Sequence, residues 1–260
     1  MSIDILQKLG LVRLPTVDQA MAWLIEHGPV VADPPFPNWV LRQLVRTQRV
    51  ARLRRGLYLV PRPDGTMLQL PAVAALVMPE GYLSFYGALT LYGLTDQDAA
   101  HWGMVTRARQ RPLRYGPLTL EFVTWPARVR SAKTRQRTID GVSVRLATPV
   151  QAFCDALEQP RLGASFPEML RVLRTGLATR ALTASALRAH ARAVNSPALA
   201  RRLGLLLELA TTNVDQELAA IARRSHAWTS GDRLQERASD SRWRVRLSRS
   251  RDDLTRAATS

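Results

Sequence analysis

Between residues 38 and 60 the hydrophobic pattern changes period. Val40, Leu41, Leu44 and Val45 recur at helical spacing on one side, while Arg42, Arg46 and Arg49 stand at i, i+4 and i+7 on another. Asn38 is placed to cap this helix, and Pro34, Pro35 and Pro37 keep it from starting earlier. After Gln48 the period falls to two. From Val50 to Val60 apolar and basic residues alternate about a turn containing Gly56, which predicts a β-hairpin. Helical periodicity near residues 3–9 and 17–27 places two helices before the basic one. The second has an apolar set of Val17, Met21, Trp23, Leu24 and Ile25, and Gly28-Pro29 ends it. Three helices followed by a basic hairpin is the order of a winged helix-turn-helix. The connection over residues 28–37 holds four prolines and is longer than the tight turn of that motif, so the pattern leaves the register of Asn38 and Gln43 open.

The Pro61-Arg62-Pro63-Asp64-Gly65 turn marks a boundary between a first domain, residues 1–63, and a second, residues 64–260. In the second, helices are predicted over residues 68–78 and 84–92, the latter capped by Ser84 and closed by Gly93. Strands are predicted near 103–106 and 118–124, then a hairpin across Asp140-Gly141 from 137–139 to 142–146; the basic stretch 128–137 reads as a loop. From Pro149 the chain reads as helical over 149–158, 166–177, 183–194, 197–210 and 214–225, with Thr183 and Ser196 as caps. Residues 229–260 are polar except for an island at Trp243-Arg244-Val245-Arg246-Leu247. That island is either a terminal strand or part of a tail that frays from about residue 248. The predicted class is α+β: an N-terminal winged helix-turn-helix, then a mixed α/β domain with a mostly helical C-terminal part.

Charge changes this picture. Residues 36–63 hold seven arginines and no acidic residue, and the whole chain carries +16. Arginine facing duplex DNA releases counterions and gives affinity without sequence preference. Asn38, Arg42 and Gln43 are candidates for base edges, with Arg46, Arg49, Arg52, Arg54 and Arg55 on phosphates. Yet 35 of the 37 basic residues are arginine, a skew that reflects a GC-rich genome more than selection at each site. Residues 1–66 hold nine basic and five acidic residues, 67–160 ten and seven, and 161–260 eighteen and nine, so the last third is the most basic. There the helical arginines Arg171, Arg174, Arg188, Arg192, Arg201 and Arg202 are candidates for a surface that binds nucleic acid or an acidic protein, with a solvated helical face as the competing reading.

Little else suggests chemistry. Cys154 is the sole cysteine and falls within a predicted helix as a small buried hydrophobe, so neither a disulfide nor a cysteine-based zinc site is expected. The four histidines show no metal-ligand spacing, and no metal or cofactor is expected. Asp96 and Asp98 have the D-x-D spacing with which nucleotidyltransferases hold magnesium, but they follow a helix-ending glycine and lack the Gly-Ser element before them, which favours solvated loop acids. No signal-like or membrane-spanning apolar stretch appears, so a cytoplasmic protein with no membrane partner is expected.

Several segments look familiar in combination. Leu53-Arg54-Arg55-Gly56-Leu57-Tyr58-Leu59-Val60 resembles the wing of the AbiEi antitoxins, and Tyr82-Leu83-Ser84-Phe85-Tyr86-Gly87-Ala88-Leu89 with Tyr92-Gly93-Leu94-Thr95-Asp96-Gln97 resembles that family's most telling segment. Ala147-Thr148-Pro149-Val150-Gln151-Ala152 up to Asp155, Arg201-Arg202-Leu203-Gly204-Leu205-Leu206-Leu207-Glu208 and Arg242-Trp243-Arg244-Val245 follow in the family's order. The resemblance spans residues 40–247. It implies a non-enzymatic antitoxin of a type IV toxin–antitoxin (abortive infection) system that also represses its own operon. The implied partners are operator DNA with inverted repeats and a nucleotidyltransferase-like toxin, the latter without an obligatory stable complex. It supports Arg52, Arg54 and Arg55 as DNA contacts and gives the 84–97 segment a structural role, with Ser84 a cap, Gly93 a left-handed terminator and Leu89 and Leu94 in the core. The alternatives are a stand-alone winged-helix regulator with a sensing or dimerising second domain, and an enzyme built on Asp96 and Asp98.

Overall fold

The computed structural model describes residues 16–231 and 236–258, so the helix predicted at residues 3–9 lies outside the described residues. Among these it is a mixed α+β protein with eleven helices and three sheets.

Helix α1 (Val17–Glu26) opens on a capping box between Thr16 and Gln19. The proline-rich connection then forms a short strand, β1 (Val30–Ala32). Helix α2 (Asn38–Arg46) has Pro37 at its cap position, so Asn38 is its first residue and not its cap. It ends in a Schellman motif with Gln48 left-handed at φ 56°. There Arg49 N–H reaches Leu44 O at 2.9 Å and Gln48 N–H reaches Val45 O at 3.1 Å. The predicted three-arginine stripe is therefore cut at Arg46. Strands β2 (Ala51–Arg54) and β3 (Leu57–Leu59) form the hairpin, with an irregularity at Leu53. Its turn needs Gly56, which has φ 74° and whose hypothetical Cβ would lie 2.1 Å from Asp33 Oδ1.

Strand β1 pairs antiparallel with β3, giving the order β1-β3-β2. This sheet is a wall shared by two cores. Tyr58 and Val60 pack with Ala20, Leu24, Val40 and Leu44. Leu53, Leu57 and Leu59 join the large core of the rest of the chain, although they precede residue 63. A polar clasp supports the junction: Arg62 pairs with Asp140 at 2.9 Å, and Asp140 accepts the Gln69 N–H at 2.6 Å.

Beyond it come α3 (Leu70–Val77), β4 (Tyr82–Ser84), α4 (Phe85–Leu91), β5 (His101–Thr106), β6 (Leu113–Tyr115), β7 (Leu118–Thr124), α5 (Pro126–Ser131), β8 (Thr134–Ile139) and β9 (Val142–Ala147). Their strands make one sheet of order β6-β7-β5-β4-β9-β8, parallel at β7/β5 and β4/β9 and antiparallel elsewhere. Residues 128–137, expected as a loop, are instead α5 and most of β8. Strand β8 is an edge strand whose residues 135–138 are exposed, so its backbone ladder forms without an apolar face to announce it. Strand β4 turns straight into α4 at Phe85, a buried residue with φ 64°. Gly103 on the neighbouring strand makes room, since a Cβ there would stand 2.3 Å from the Phe85 ring.

The helical part holds α6 (Pro149–Glu158), α7 (Phe166–Ala178), α8 (Ala184–Val194), α9 (Pro197–Thr211) and α10 (Gln216–Ala222), with side-chain caps from Thr148, Thr183, Ser196 and Asp215. The Trp243 island neither joins the main sheet nor frays. Strands β10 (Thr229–Ser230), β11 (Ala238–Asp240) and β12 (Val245–Leu247) make a separate small sheet of order β10-β12-β11. Trp243 is buried, and its Nε1–H donates to Glu208 Oε2 at 2.6 Å. The expected fraying from 248 is corrected by α11 (Arg251–Ala257), which buries Leu254 and is tied to α7 by Arg171 Nη2 on Ala257 O at 2.8 Å.

Asp155 of α6 joins the sheet to the helices. It is fully buried and accepts from Ser84 Oγ at 2.7 Å, Tyr82 Oη at 3.3 Å, Gln151 Nε2 at 2.8 Å and Arg128 Nη1 at 2.7 Å. Ser84 therefore occupies the N-cap position of α4 without a side-chain capping bond; its hydroxyl is turned inward to this carboxylate. Arg128 also pairs with Glu158 at 2.7 Å. Burial pushes the Asp155 carboxyl up to about 6 against the opposing bonds from Ser84, Arg128 and Gln151. Burial, with Arg128 and Lys133 adding repulsion, pulls His190 of α8 down to about 4.

Asp155→Ala leaves Arg128 short of one carboxylate and should cost about 3–5 kcal/mol in denaturant unfolding at pH 7. The two shifts act oppositely with pH. The folded state resists protonating His190, so that contribution is lost as pH falls from about 6.5 to about 4. Asp155 takes up its proton earlier in the folded state, which adds stability as pH falls through about 6. His190→Leu should thus gain stability relative to the parent between pH 7.5 and pH 5, measured by urea unfolding at both.

Candidate nucleic-acid interface

Helix α2 advances 100° per residue, which gathers Asn38, Trp39, Arg42 and Arg46 into one exposed arc opposite buried Val40, Leu41 and Leu44. Gln43 lies partly buried at the margin. Trp39 is 47% exposed, an apolar ring held in solvent beside two arginines. No described side chain pairs with Arg42 or Arg46. The nine residues of α2 span roughly 13 Å, about the width of a DNA major groove.

The hairpin continues this face. A cavity of about 430 Å³ between the start of α2 and β2–β3 is lined by Asn38, Arg42, Arg52, Arg55 and Tyr58, with Asp33 its single carboxylate. Register explains why Arg52 is there: it stands opposite Tyr58, on the α2 side of the sheet. Arg54 stands opposite Leu57 on the other side, partly buried, with Nη1 at 3.4 Å from Gln110 Oε1. Arg49, past the helix end, is turned to Asp18 of α1 at 2.6 Å. Of the eight residues proposed from sequence, Asn38, Arg42, Arg46, Arg52 and Arg55 share one face, Gln43 borders it, and Arg49 and Arg54 are engaged elsewhere. Trp39 was missed. Its signal was an aromatic three positions before Arg42, on the arginine side of the helix and away from the apolar one.

Of the six arginines singled out in the last third, two are buried and the other four are engaged by acids or a carbonyl. Arg201 and Arg202 are buried in α9, which is packed on all sides. Arg202 Nε donates to Ser230 O at 2.6 Å and its Nη1 to Leu157 O at 2.7 Å, and burial lowers its pKa to about 10. Arg188 pairs with Asp215 at 3.0 Å, Arg192 with Glu217 at 2.6 Å, and Arg171 with Glu168. Arg174 donates to Leu209 O at 3.4 Å. These arginines tie helices to one another and to the segments beside them.

Asp96 and Asp98 are exposed on a bend after Gly93, outside any strand. Among the described residues no group of three or more His, Cys, Asp or Glu is placed to hold a metal ion, and no helix is long and apolar enough to cross a membrane.

No family model matches the chain, and no curated protein matches it. The crystal structure of the RV2827C protein from Mycobacterium tuberculosis is similar in fold, with a TM-score of 0.57 and 12% sequence identity over 95% of this chain and 96% of that one. At that identity the likeness is one of fold.

The two kinds of arginine should separate in stability measurements. Arg42→Ala and Arg46→Ala should each change the unfolding free energy by no more than about 0.5 kcal/mol, because neither exposed side chain has a partner to lose among the described residues. Arg202→Ala should cost at least about 2 kcal/mol, since it strands buried carbonyls. Chemical denaturation of the three variants checks both.

Proposed function

We propose that this protein is a DNA-binding antitoxin and autorepressor, with residues up to 63 forming a winged helix-turn-helix and the remainder a domain that counteracts a toxin. The observation that supports the DNA half is the exposed face of Asn38, Trp39, Arg42 and Arg46, whose two arginines have no partner among the described side chains, with Asn38 and Arg42 meeting Arg52 and Arg55 around one cavity. An exposed helix face of arginines with no acid partner among the described residues is the electrostatic footprint expected for a phosphate backbone. Asn38 and Arg42 at the start of α2 suit base edges; Arg46, Arg52 and Arg55 suit phosphates.

The antitoxin half rests on the ordered sequence blocks that resemble the AbiEi family. The segment containing Ser84 and the segment from Ala147 to Asp155, two of those blocks, meet through the Ser84–Asp155 hydrogen bond, in keeping with a structural role for both. The partner on this reading is a nucleotidyltransferase-like toxin, opposed in type IV fashion, and this chain binds without catalysing.

Gel-shift titration against the gene's own upstream region, at several salt concentrations, tests the DNA half. Arg42→Ala/Arg46→Ala/Arg55→Ala should weaken binding and flatten the salt dependence by ~0.9 per lost phosphate contact. Arg49→Ala and Arg54→Ala should do much less. Unchanged affinity in the triple variant would sink the assignment. Co-expression with the product of an adjacent nucleotidyltransferase-like gene tests the antitoxin half through rescue of growth.

A further inference from the structure

A second cavity, of about 460 Å³, opens between α10 and the β11–β12 turn. Four guanidinium-bearing residues line it, Arg201, Arg223, Arg242 and Arg244, together with Gln216 and Ser241; no described carboxylate does. Arg201 is 2% exposed, and its partners are Thr229 Oγ1 at 3.3 Å, Ala222 O at 3.0 Å and Ser225 O, none of them an anion. Arg244 sits at φ 53° and donates to Ser225 O at 3.4 Å and His226 Nδ1 at 3.0 Å. Arg223 is exposed with no described partner, and only Arg242 is neutralised, by Glu208 at 2.7 Å.

Three of the four charges thus face a concave site with no described carboxylate paired to them. Arg128 meets Asp155 and Glu158, and Arg251 meets Glu208 and Asp240, whereas Arg201, like the neighbouring Arg202, is held by neutral oxygens alone. Converging guanidinium forks bind phosphate oxygens, and the volume lies in the ~300–1,000 Å³ range of small-molecule sites. A duplex is a convex rod that cannot enter such a cavity. Burial, followed by the repulsion of Arg244, lowers the Arg201 pKa, a cost that a bound anion would relieve.

We propose that this cavity binds a free small molecule bearing a di- or triphosphate, held by Arg201, Arg223 and Arg244. The site is separate from the α2 face and gives the second domain a ligand of its own.

Calorimetric titration of the full chain with inorganic tripolyphosphate at fixed ionic strength tests this. One-to-one saturation is expected, weakened at least about tenfold by Arg223→Ala/Arg244→Ala. Ser241→Glu places a carboxylate at an exposed lining position without disturbing a buried side chain. It should weaken binding similarly, and it keeps the test sound if the double variant melts early. Arg42→Ala/Arg46→Ala should leave tripolyphosphate binding intact even where DNA binding is lost. The proposal is overturned if no saturation is reached at millimolar concentration, if the cavity variants bind as the parent does, or if binding is lost with Arg42 and Arg46. It is also overturned if the cavity variants weaken duplex or single-stranded DNA binding as strongly, which would give the cavity to a nucleic-acid backbone.

Discussion

Strand β3 is buried on both faces, and the described elements before residue 63 take their positions from that fact. Leu57 and Leu59 point into the large core while Tyr58 and Val60 point into the small one. Alternation is a period-two property, so a slip of one residue would exchange the two sets and put a phenol where leucine packs. Each of the leucines is worth roughly 1.5–3 kcal/mol when fully buried, so two cores together fix one register. The basic residues of β2 inherit it. Arg52 is turned to α2 and Arg54 away from it because their cross-strand partners, Tyr58 and Leu57, belong to different cores. The arrangement of cations is a by-product of hydrophobic packing.

Buried carboxylates do comparable work in the second part of the chain. Asp155 brings β4, α5 and α6 together; Glu168 of α7 accepts from Tyr86 at 3.0 Å and Thr95 at 2.7 Å; Glu208 of α9 holds Trp243, Arg242 and Arg251. In each case one acid collects donors from segments far apart in sequence. Such a carboxylate in the interior is tolerable only when its lone pairs are met, so these clusters restrict which packings of the helices on the sheet can form.

The sequence was legible where a local rule decides the outcome. Strand β7 and helix α6 match their predicted bounds, Thr183 and Ser196 cap α8 and α9, and Gly93 closes α4 with φ 64°. Strands β1, β4, β6, β10 and β11, of two or three residues each, carry too few positions for periodicity to register, whereas β3 and β12, as short, were announced by a Gly-bearing turn and an apolar island. Ser84 fits a helix cap by position, yet a carboxylate 71 residues away claims its hydroxyl, and nothing local announces that. Arg201 and Arg202 misled in the same way. Two adjacent cations read as a solvated face until the packing around α9 is known. At the candidate site, helix and hairpin were legible; which arginines share a face depended on a Schellman turn at Gln48 and a strand irregularity at Leu53.

The near-absence of lysine began as a trait of the genome, and the fold has made it irreversible in places. Arg202 reaches Ser230 and Leu157, two carbonyls 73 positions apart, from different nitrogens of one planar group, and Arg128 bridges two acids. The single nitrogen of a lysine cannot span such pairs. Drift toward AT-rich codons could therefore exchange lysine for arginine along the exposed arc of α2 with little harm to the fold, while positions 128 and 202 stayed frozen. In a lineage that had drifted so, the pattern of retained arginines would mark the scaffold, and the exchanged ones would mark the surface.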